Sequence, residues 1–237
     1  MNQPFYVKRK GDYDFLVICL YVDDMIYMGS CESLIEEFKS CMMGKFDMSD
    51  LGLPHDFLGL EVDQCADEIF VSQKKYATDL LKRFNMLHCK LMPMPMKLNE
   101  KLVVNDGTRM ANGKQFRSIV GGLNCLCHTR PDIIFSVSVL SRFMHNPSLH
   151  HLGAAKRILH YGAGTMDFGI WSFKVSNFRL GGFSDSDWTG CLWDRKSTSS
   201  SVFSLGSSAI SWSSNKKNVS ALSSLEVEYV AVTSATC

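Results

Sequence analysis

Two adjacent carboxylates, Asp23 and Asp24, break an apolar run in LVICLYVDDMIYMGS, Leu16 to Ser30. Taking a charge out of water costs several kcal/mol, so such a pair belongs at a surface or beside a cation. Hard divalent cations take carboxylate oxygens together with substrate phosphate oxygens. Two such ions a few Å apart can activate a hydroxyl and stabilise a leaving pyrophosphate. Tyr21 to Asp24 taken alone read more readily as a surface β-turn, where Asp is common. A second set lies far along the chain: Asp185 and Asp187 in GFSDSDWTG, and Glu226 and Glu228 in LEVEYVA. Alone, these read as a polar strand end and a charged first helical turn.

The surrounding pattern says what must hold these groups. Residues 15–22 and 25–28 are rich in β-branched and aromatic types, which predicts two strands joined by a tight turn at Val22-Asp23-Asp24. Ser30 or Ser33 is the expected cap of a helix through about Met43, with Leu34, Ile35 and Phe38 on one face. Phe57–Val62 and Ile69–Val71 predict a hairpin around Gln64–Glu68. Ser72 is the expected cap of a helix with Tyr76, Leu80, Leu81 and Phe84 at helical spacing. Pro93, Pro95 and the polar residues after them mark 91–114 as a linker.

Three helical patterns follow. Phe116, Ile119, Val120 and Leu123 share a face. Thr129 caps the next helix and Pro131 fits its first turn, with Ile134, Val137, Leu140 and Met144 inward. Pro147 and Ser148 open a third with Leu149, Leu152, Ala155 and Leu159, ending near Gly162 and Gly164. From about Met166 short strands are expected at Phe178–Ser184, Ser200–Leu205 and Ala209–Ser213. A helix then starts at Ser223 or Ser224.

The chain has 237 residues and a formal net charge of +1, so overall charge does not announce a nucleic-acid partner. Basic residues nevertheless cluster at Lys8, Arg9 and Lys10 and at Lys74, Lys75, Lys82, Arg83 and Lys90. Such clusters either track phosphates or form a solvated helix face. The nine cysteines include no C-x-x-C pair and read as reduced thiols. The seven histidines do not fall at zinc-ligand spacing beside cysteine pairs. No apolar stretch is long enough to span a bilayer and no signal-peptide pattern follows Met1, so an intracellular protein, cytoplasmic or nuclear, is expected.

Read in order, FLVICLYVDDMIYMGS, FLGLEVDQ, QKKYATDLLKRFNM, RSIVGGLNCLCHTRPDI and SRFMHNPSLHHLGAAKRIL resemble the Pol polyprotein of copia-type LTR retrotransposons. GFSDSDWTGCLWDRKSTSSSVFSLGSSAISWSSNKKNVSALSSLEVEYVA continues the resemblance, which covers nearly the whole chain. It implies an α+β fold: a partial reverse-transcriptase palm over 1–71, and a helical thumb and connection over 72–165 with the linker near 91–114. A truncated ribonuclease H-like α/β domain over 166–237 would follow. YVDD would be the catalytic hairpin, with Asp23 a direct ligand of Mg²⁺ or Mn²⁺, Asp24 supporting it, and Tyr21 near the primer end. Lys74, Lys75, Lys82 and Arg83 would contact the backbone of a template–primer or RNA–DNA hybrid, positioning it without reading sequence. Asp185 and Glu228 match the first two ribonuclease H carboxylates and would be catalytic metal ligands there.

The resemblance also implies that the family's other palm Asp lies upstream of residue 1, and the remaining ribonuclease H carboxylates beyond Cys237. Both centres would then be half present. Weak metal binding, little or no activity and poor solubility are expected of the isolated chain. The chain departs from the family pattern at His160–Thr165, at Ser200-Ser201, and at Leu225 and Val227, which reads as drift. Two other expectations stand beside this one. One is a domesticated, non-catalytic module binding nucleic acid or protein through its basic helical middle. The other is association with a separate polyprotein fragment that rebuilds the palm in trans.

Overall fold

A computed structural model describes residues 5–98, 100–188, 190, 194–218 and 223–236. The chain mixes helix and sheet (α+β) and divides into two compact units, Met1–Pro54 and His55–Cys237.

The first unit is an antiparallel meander of β1 (Phe5–Lys10), β2 (Asp14–Tyr21) and β3 (Asp24–Gly29), backed by one helix, α1 (Glu32–Lys45). Strand alternation puts Leu16, Ile18 and Leu20 on one face, with Tyr27 and Met25 opposite Ile18 and Leu20. That face carries the two buried hydrophobics among the unit's described residues, Leu16 and, from α1, Leu34. Gly29 permits the close approach of α1: a Cβ there would lie 3.0 Å from Ile35 Cγ1. The base of the hairpin is latched by Ser30. Its N–H donates to the Phe15 carbonyl (2.9 Å), and its hydroxyl accepts from the Phe15 N–H (3.0 Å) and donates to Asp14 (3.2 Å). Ser30 is therefore occupied and does not cap α1. The cap position is Cys31, whose side chain makes no capping bond to the backbone and meets the Ser33 hydroxyl instead (3.4 Å).

The second unit holds the main core. Helices α2 (Lys74–Arg83), α3 (Gly113–Leu126), α4 (Ile134–Ser141) and α5 (Leu149–Gly164) pack around Leu80, Phe116, Ile119, Leu123, Leu140 and Ile158, all at most 2% exposed. The expected inward faces of α3 and α4 lie in or against this core, as do Leu152, Ala155 and Leu159 of α5, whereas Leu149 in the first turn of α5 is exposed. Pro131 opens a 3₁₀ turn, Pro131–Ile133, ahead of α4. Two expected caps are displaced. Gln73, not Ser72, precedes α2, and Arg130, not Thr129, precedes the 3₁₀ turn; Thr129 is buried, and its hydroxyl accepts instead from the Gln73 side-chain amide (3.0 Å). Ser148 does cap α5.

Among the described residues of 91–112 there is no helix or strand, yet the segment is fastened down. Leu102 is buried in the core, and Met110 bridges to Ser148.

Two antiparallel sheets complete this unit. One has the order β4 (Asp56–Phe57), β5 (Leu60–Gln64), β6 (Glu68–Ser72), β7 (Gly169–Phe173). The β4–β5 turn has φ of 51° at Leu58 and 80° at Gly59, the two left-handed residues that a tight hairpin demands. β7 pairs with β6 across nearly a hundred residues, Val71 opposite Ile170, so all four helices α2 to α5 are inserted between two neighbouring strands. The other sheet, β8 (Leu180–Ser186), β9 (Thr198–Leu205) and β10 (Ser208–Lys216), carries α6 (Ser224–Thr236) against β8 and β9. It is tied to the helices by Trp212 Nε1 donating to the Cys127 carbonyl (2.8 Å) and Arg142 Nη2 donating to Thr198 Oγ1 (2.8 Å).

Candidate active site

The β2–β3 hairpin closes through two residues, Val22 and Asp23, with Tyr21 opposite Asp24 as the last pair. Such short loops need a left-handed residue to match the twist of the strands. Here that residue is Val22, at φ 52°. A β-branched side chain in this region is a backbone outlier worth of order 1–3 kcal/mol, held only where its surroundings enforce it. The strands on either side do so. The result is an exposed tip carrying two adjacent carboxylates, with Tyr21 and Asp24 on the sheet face opposite α1.

A brace behind the hairpin fixes β3. Tyr27 OH donates to Asp50 Oδ1 (3.2 Å), and Lys39 Nζ of α1 pairs with Asp50 Oδ2 (2.8 Å). The Tyr27 ring meets Phe38 edge-on at 5.3 Å. Lys39 and the Gly52 N–H hold the Asp50 carboxyl below its usual range, while burial and then Asp50 push the Tyr27 hydroxyl up. Lys8 and Lys10 pair with Glu37 in the open, where such contacts add little.

Among the described residues, no group of three or more His, Cys, Asp or Glu side chains is arranged to hold a metal ion. Asp23 and Asp24 thus offer two carboxylates toward the six or more oxygens of a hard cation and fit only part of such a shell. No catalytic step through a metal is derived from these residues alone.

The second carboxylate set sits in the other unit. Asp185 is exposed on β8, opposite Ser200, and accepts from the Ser186 N–H (2.9 Å). Glu228 is exposed on α6 between the buried Val227 and Ala231. Strand alternation alone would give Asp187 the same face as Asp185. What separates them is the end of β8 at Ser186: Asp187 Oδ1 is taken up by the Thr198 N–H (2.6 Å) and ties the strand end to β9. Asp185 and Glu228 gather no third ligand among the described residues.

The four expected phosphate-contacting residues lie on the solvent face of α2, opposite Ala77, Leu80 and Leu81. Lys74 is engaged by Asp167 (2.5 Å) and Lys82 by Asp79 (3.5 Å), while Lys75 and Arg83 are exposed.

Two buried polar clusters escaped the sequence reading. In TRPD, Arg130 is 2% exposed and forks onto Asp132 (2.9 and 2.7 Å), with Thr165 O and Oγ1 at 2.8 and 2.7 Å. Its guanidinium lies 5.2 Å from the Phe168 ring centre and 5.6 Å from that of Tyr161. Burial raises Asp132, but Arg130 and Tyr161 outweigh it and the carboxyl sits below its ordinary value. The proline locking the backbone between an Arg and an Asp was the available signal. The second cluster starts α5. Ser148 and His151 form a capping box, His151 Nε2 reaches the Val103 carbonyl (3.1 Å), and Ser148 Oγ donates to Asp106. Ser148-x-x-His151 has the spacing of the usual Ser-x-x-Glu box with imidazole in place of carboxylate.

The family model for reverse transcriptase (RNA-dependent DNA polymerase) matches residues 1–98, the stretch that holds the hairpin, its brace, the β4–β6 strands and α2. The uncharacterized mitochondrial protein AtMg00810 of Arabidopsis thaliana is 38% identical over 219 residues, which is 92% of this chain and 90% of that protein. The retrovirus-related Pol polyprotein from transposon RE2, also of Arabidopsis thaliana, is 37% identical over 98% of this chain, which spans 16% of the polyprotein's length. The putative transposon Ty5-1 protein YCL074W of Saccharomyces cerevisiae is 30% identical over 91% of this chain and 71% of its own length. No solved structure matches. A hairpin that presents paired carboxylates inside the matched segment, and likeness to transposon proteins along nearly the whole length, place the chain in one group: it belongs to the reverse-transcriptase family of copia-type retrotransposon Pol polyproteins.

Proposed function

We propose that this chain carries the catalytic hairpin of an RNA-directed DNA polymerase palm, and that Asp23 and Asp24 supply part, not all, of its metal-binding carboxylates. The observation that supports this best is the strained two-residue turn, with Val22 at φ 52°, that exposes two adjacent carboxylates on a braced hairpin. Maintaining that strain makes sense where the carboxylates must meet Mg²⁺ or Mn²⁺ and the phosphates of a nucleotide. Tyr21, on the same sheet face as Asp24, would lie against the primer end.

On this reading residues 1–71 are palm, 72–165 thumb and connection, and 166–237 the start of a ribonuclease H-like domain. Asp185 and Glu228 are carboxylates of that second centre. Lys75, Lys82 and Arg83 of α2 meet the backbone of a template–primer or RNA–DNA hybrid; Lys74, held by Asp167, contributes less. Further carboxylates must come from polypeptide other than the described residues, for instance another fragment of the polyprotein, because Asp23 and Asp24 find no third partner among them.

The test uses two readouts on the purified chain. Mn²⁺ titration followed by electron paramagnetic resonance should show weak binding that falls in the Asp23→Asn/Asp24→Asn variant. Primer extension on an RNA template with Mg²⁺ should give no incorporation. Incorporation abolished by Asp23→Asn would overturn the claim that the centre is incomplete. Mn²⁺ binding indifferent to both substitutions would overturn the assignment of the hairpin.

A further inference from the structure

We infer that one face of the β4–β7 sheet is a docking surface for an arginine-rich peptide segment. Strand register puts Phe70 opposite Trp171, and Phe173 two residues further along β7 on the same face. The three rings form a ladder: Phe70 and Trp171 stack at 4.4 Å between centres, Trp171 and Phe173 at 5.9 Å and nearly parallel. Trp171 and Phe173 are nonetheless 46% and 48% exposed, an unusual cost for stacked aromatics that have no cover.

The same face is acidic. Asp63 lies opposite Phe70, Glu61 opposite Ser72, Asp56 opposite Glu61, and Glu68 opposite Phe173. Beside Phe70, the carboxylates of Asp56, Glu61, Asp63 and Asp167 line a cleft of about 370 Å³ whose basic residues are His55 and Lys74, the latter already paired with Asp167. Glu61 accepts from the Lys75 N–H, while the carboxylates of Asp56 and Asp63 have no partner among the described residues.

Chemistry selects the occupant. Carboxylates flanking a stacking platform repel a phosphate backbone, so nucleic acid is disfavoured even though its bases could stack. A compact divalent ion is disfavoured too, since these carboxylates do not converge on one point. A guanidinium satisfies both features: it forks onto carboxylates and its plane stacks on an indole face, and it gives up water more readily than an ammonium does. An extended peptide bearing several arginines places them at the spacing of the strands beneath. Neither Asp23 nor Asp24 takes part, so the surface stands or falls apart from the polymerase reading.

The experiment measures binding of a fluorescein-labelled octa-arginine peptide to the whole chain by anisotropy at low salt. Binding is expected, with octa-lysine weaker. Asp56→Asn/Asp63→Asn and Trp171→Ala should each weaken octa-arginine about tenfold, and Glu32→Gln, an exposed carboxylate on α1 in the other unit, should not. The double Asn variant alters only exposed side chains, so the test survives if Trp171→Ala fails to fold. Equal affinity across all variants, or no binding at low salt, overturns the proposal. So does single-stranded RNA whose binding needs Trp171 and strengthens in the double Asn variant.

Discussion

His151 is fully buried, stacked on Phe143 at 3.9 Å between ring centres, and bonded through both ring nitrogens. Nδ1 accepts from the Ser148 N–H, so Nε2 must carry the proton that goes to Val103, and the ring is held neutral. Burial lowers its affinity for a second proton, assisted by neighbouring His150 and opposed by Asp106 and the Val103 carbonyl. Since the folded state releases this proton more readily than the unfolded chain does, the unfolded chain binds more protons below about pH 6.5. Stability is therefore fully present above that value and is lost as pH falls toward the lowered folded-state value. His151→Phe keeps the stack on Phe143 but cannot titrate. In urea titrations this variant is expected to be less stable at pH 8, because the cap is gone. Between pH 6.5 and 5 its stability should decline more gently than wild type, by up to about 1.4 kcal/mol per pH unit. Parallel slopes would remove His151 as the cause.

At the scale of elements, a glycine sets how closely two helices meet. Tyr76 of α2 donates to the Gly122 carbonyl of α3 (3.1 Å), and a Cβ on Gly122 would come within 2.3 Å of Leu80 Cδ1. Leu80 is 2% exposed and boxed into the core, so it has little room to turn away. Gly122→Ala is expected to cost about 1–3 kcal/mol in denaturant unfolding despite the better helix propensity of alanine. In a Leu80→Ala background the same substitution should cost much less or stabilise, a coupling a double-mutant cycle will read. Additive effects would mean that α2 and α3 do not meet through this pair.

Such packing elements were the legible part of the sequence. Helices α3 to α5 declare themselves because each buries an apolar stripe at helical spacing, and Ser148 announces its own helix. β1 and β7 do not. All six residues of FYVKRK are exposed, so no burial pattern marks the strand. GIWSF is held by a partner nearly a hundred residues away rather than by a local turn. The caps at Ser30, Ser72 and Thr129 were misassigned because any Ser or Thr before an apolar run can cap, and tertiary partners decide which one does. The carboxylate pair was legible as chemistry and its hairpin as a turn, but not the left-handed Val22 that shapes it.

The two units differ greatly in what holds them. Residues 55–237 contain the contiguous core from Ala77 to Ala163, whereas the described residues of 1–54 bury only Leu16 and Leu34 among their hydrophobics. Phe5, Val7, Phe15 and Met28, 43–65% exposed, share the face of the small sheet that α1 leaves open. A unit of this size with so little buried apolar surface is marginal by itself, and the backbone of an exposed edge strand such as β1 invites pairing with another chain. The hairpin bearing Asp23 and Asp24 thus belongs to the weaker half of the molecule. Hydrogen exchange read by mass spectrometry should show this directly. Amides of β2 and β3 are expected to exchange on the order of a hundredfold faster than those of Phe116–Leu123 and Leu152–Leu159, through openings that leave the helical core intact. On the proposed reading of the hairpin, a ligand that orders it should slow its exchange without changing that of the core. A nucleic-acid duplex with Mg²⁺ can serve as the probe. Equal protection of both units in the free chain would show that the hairpin needs no such support.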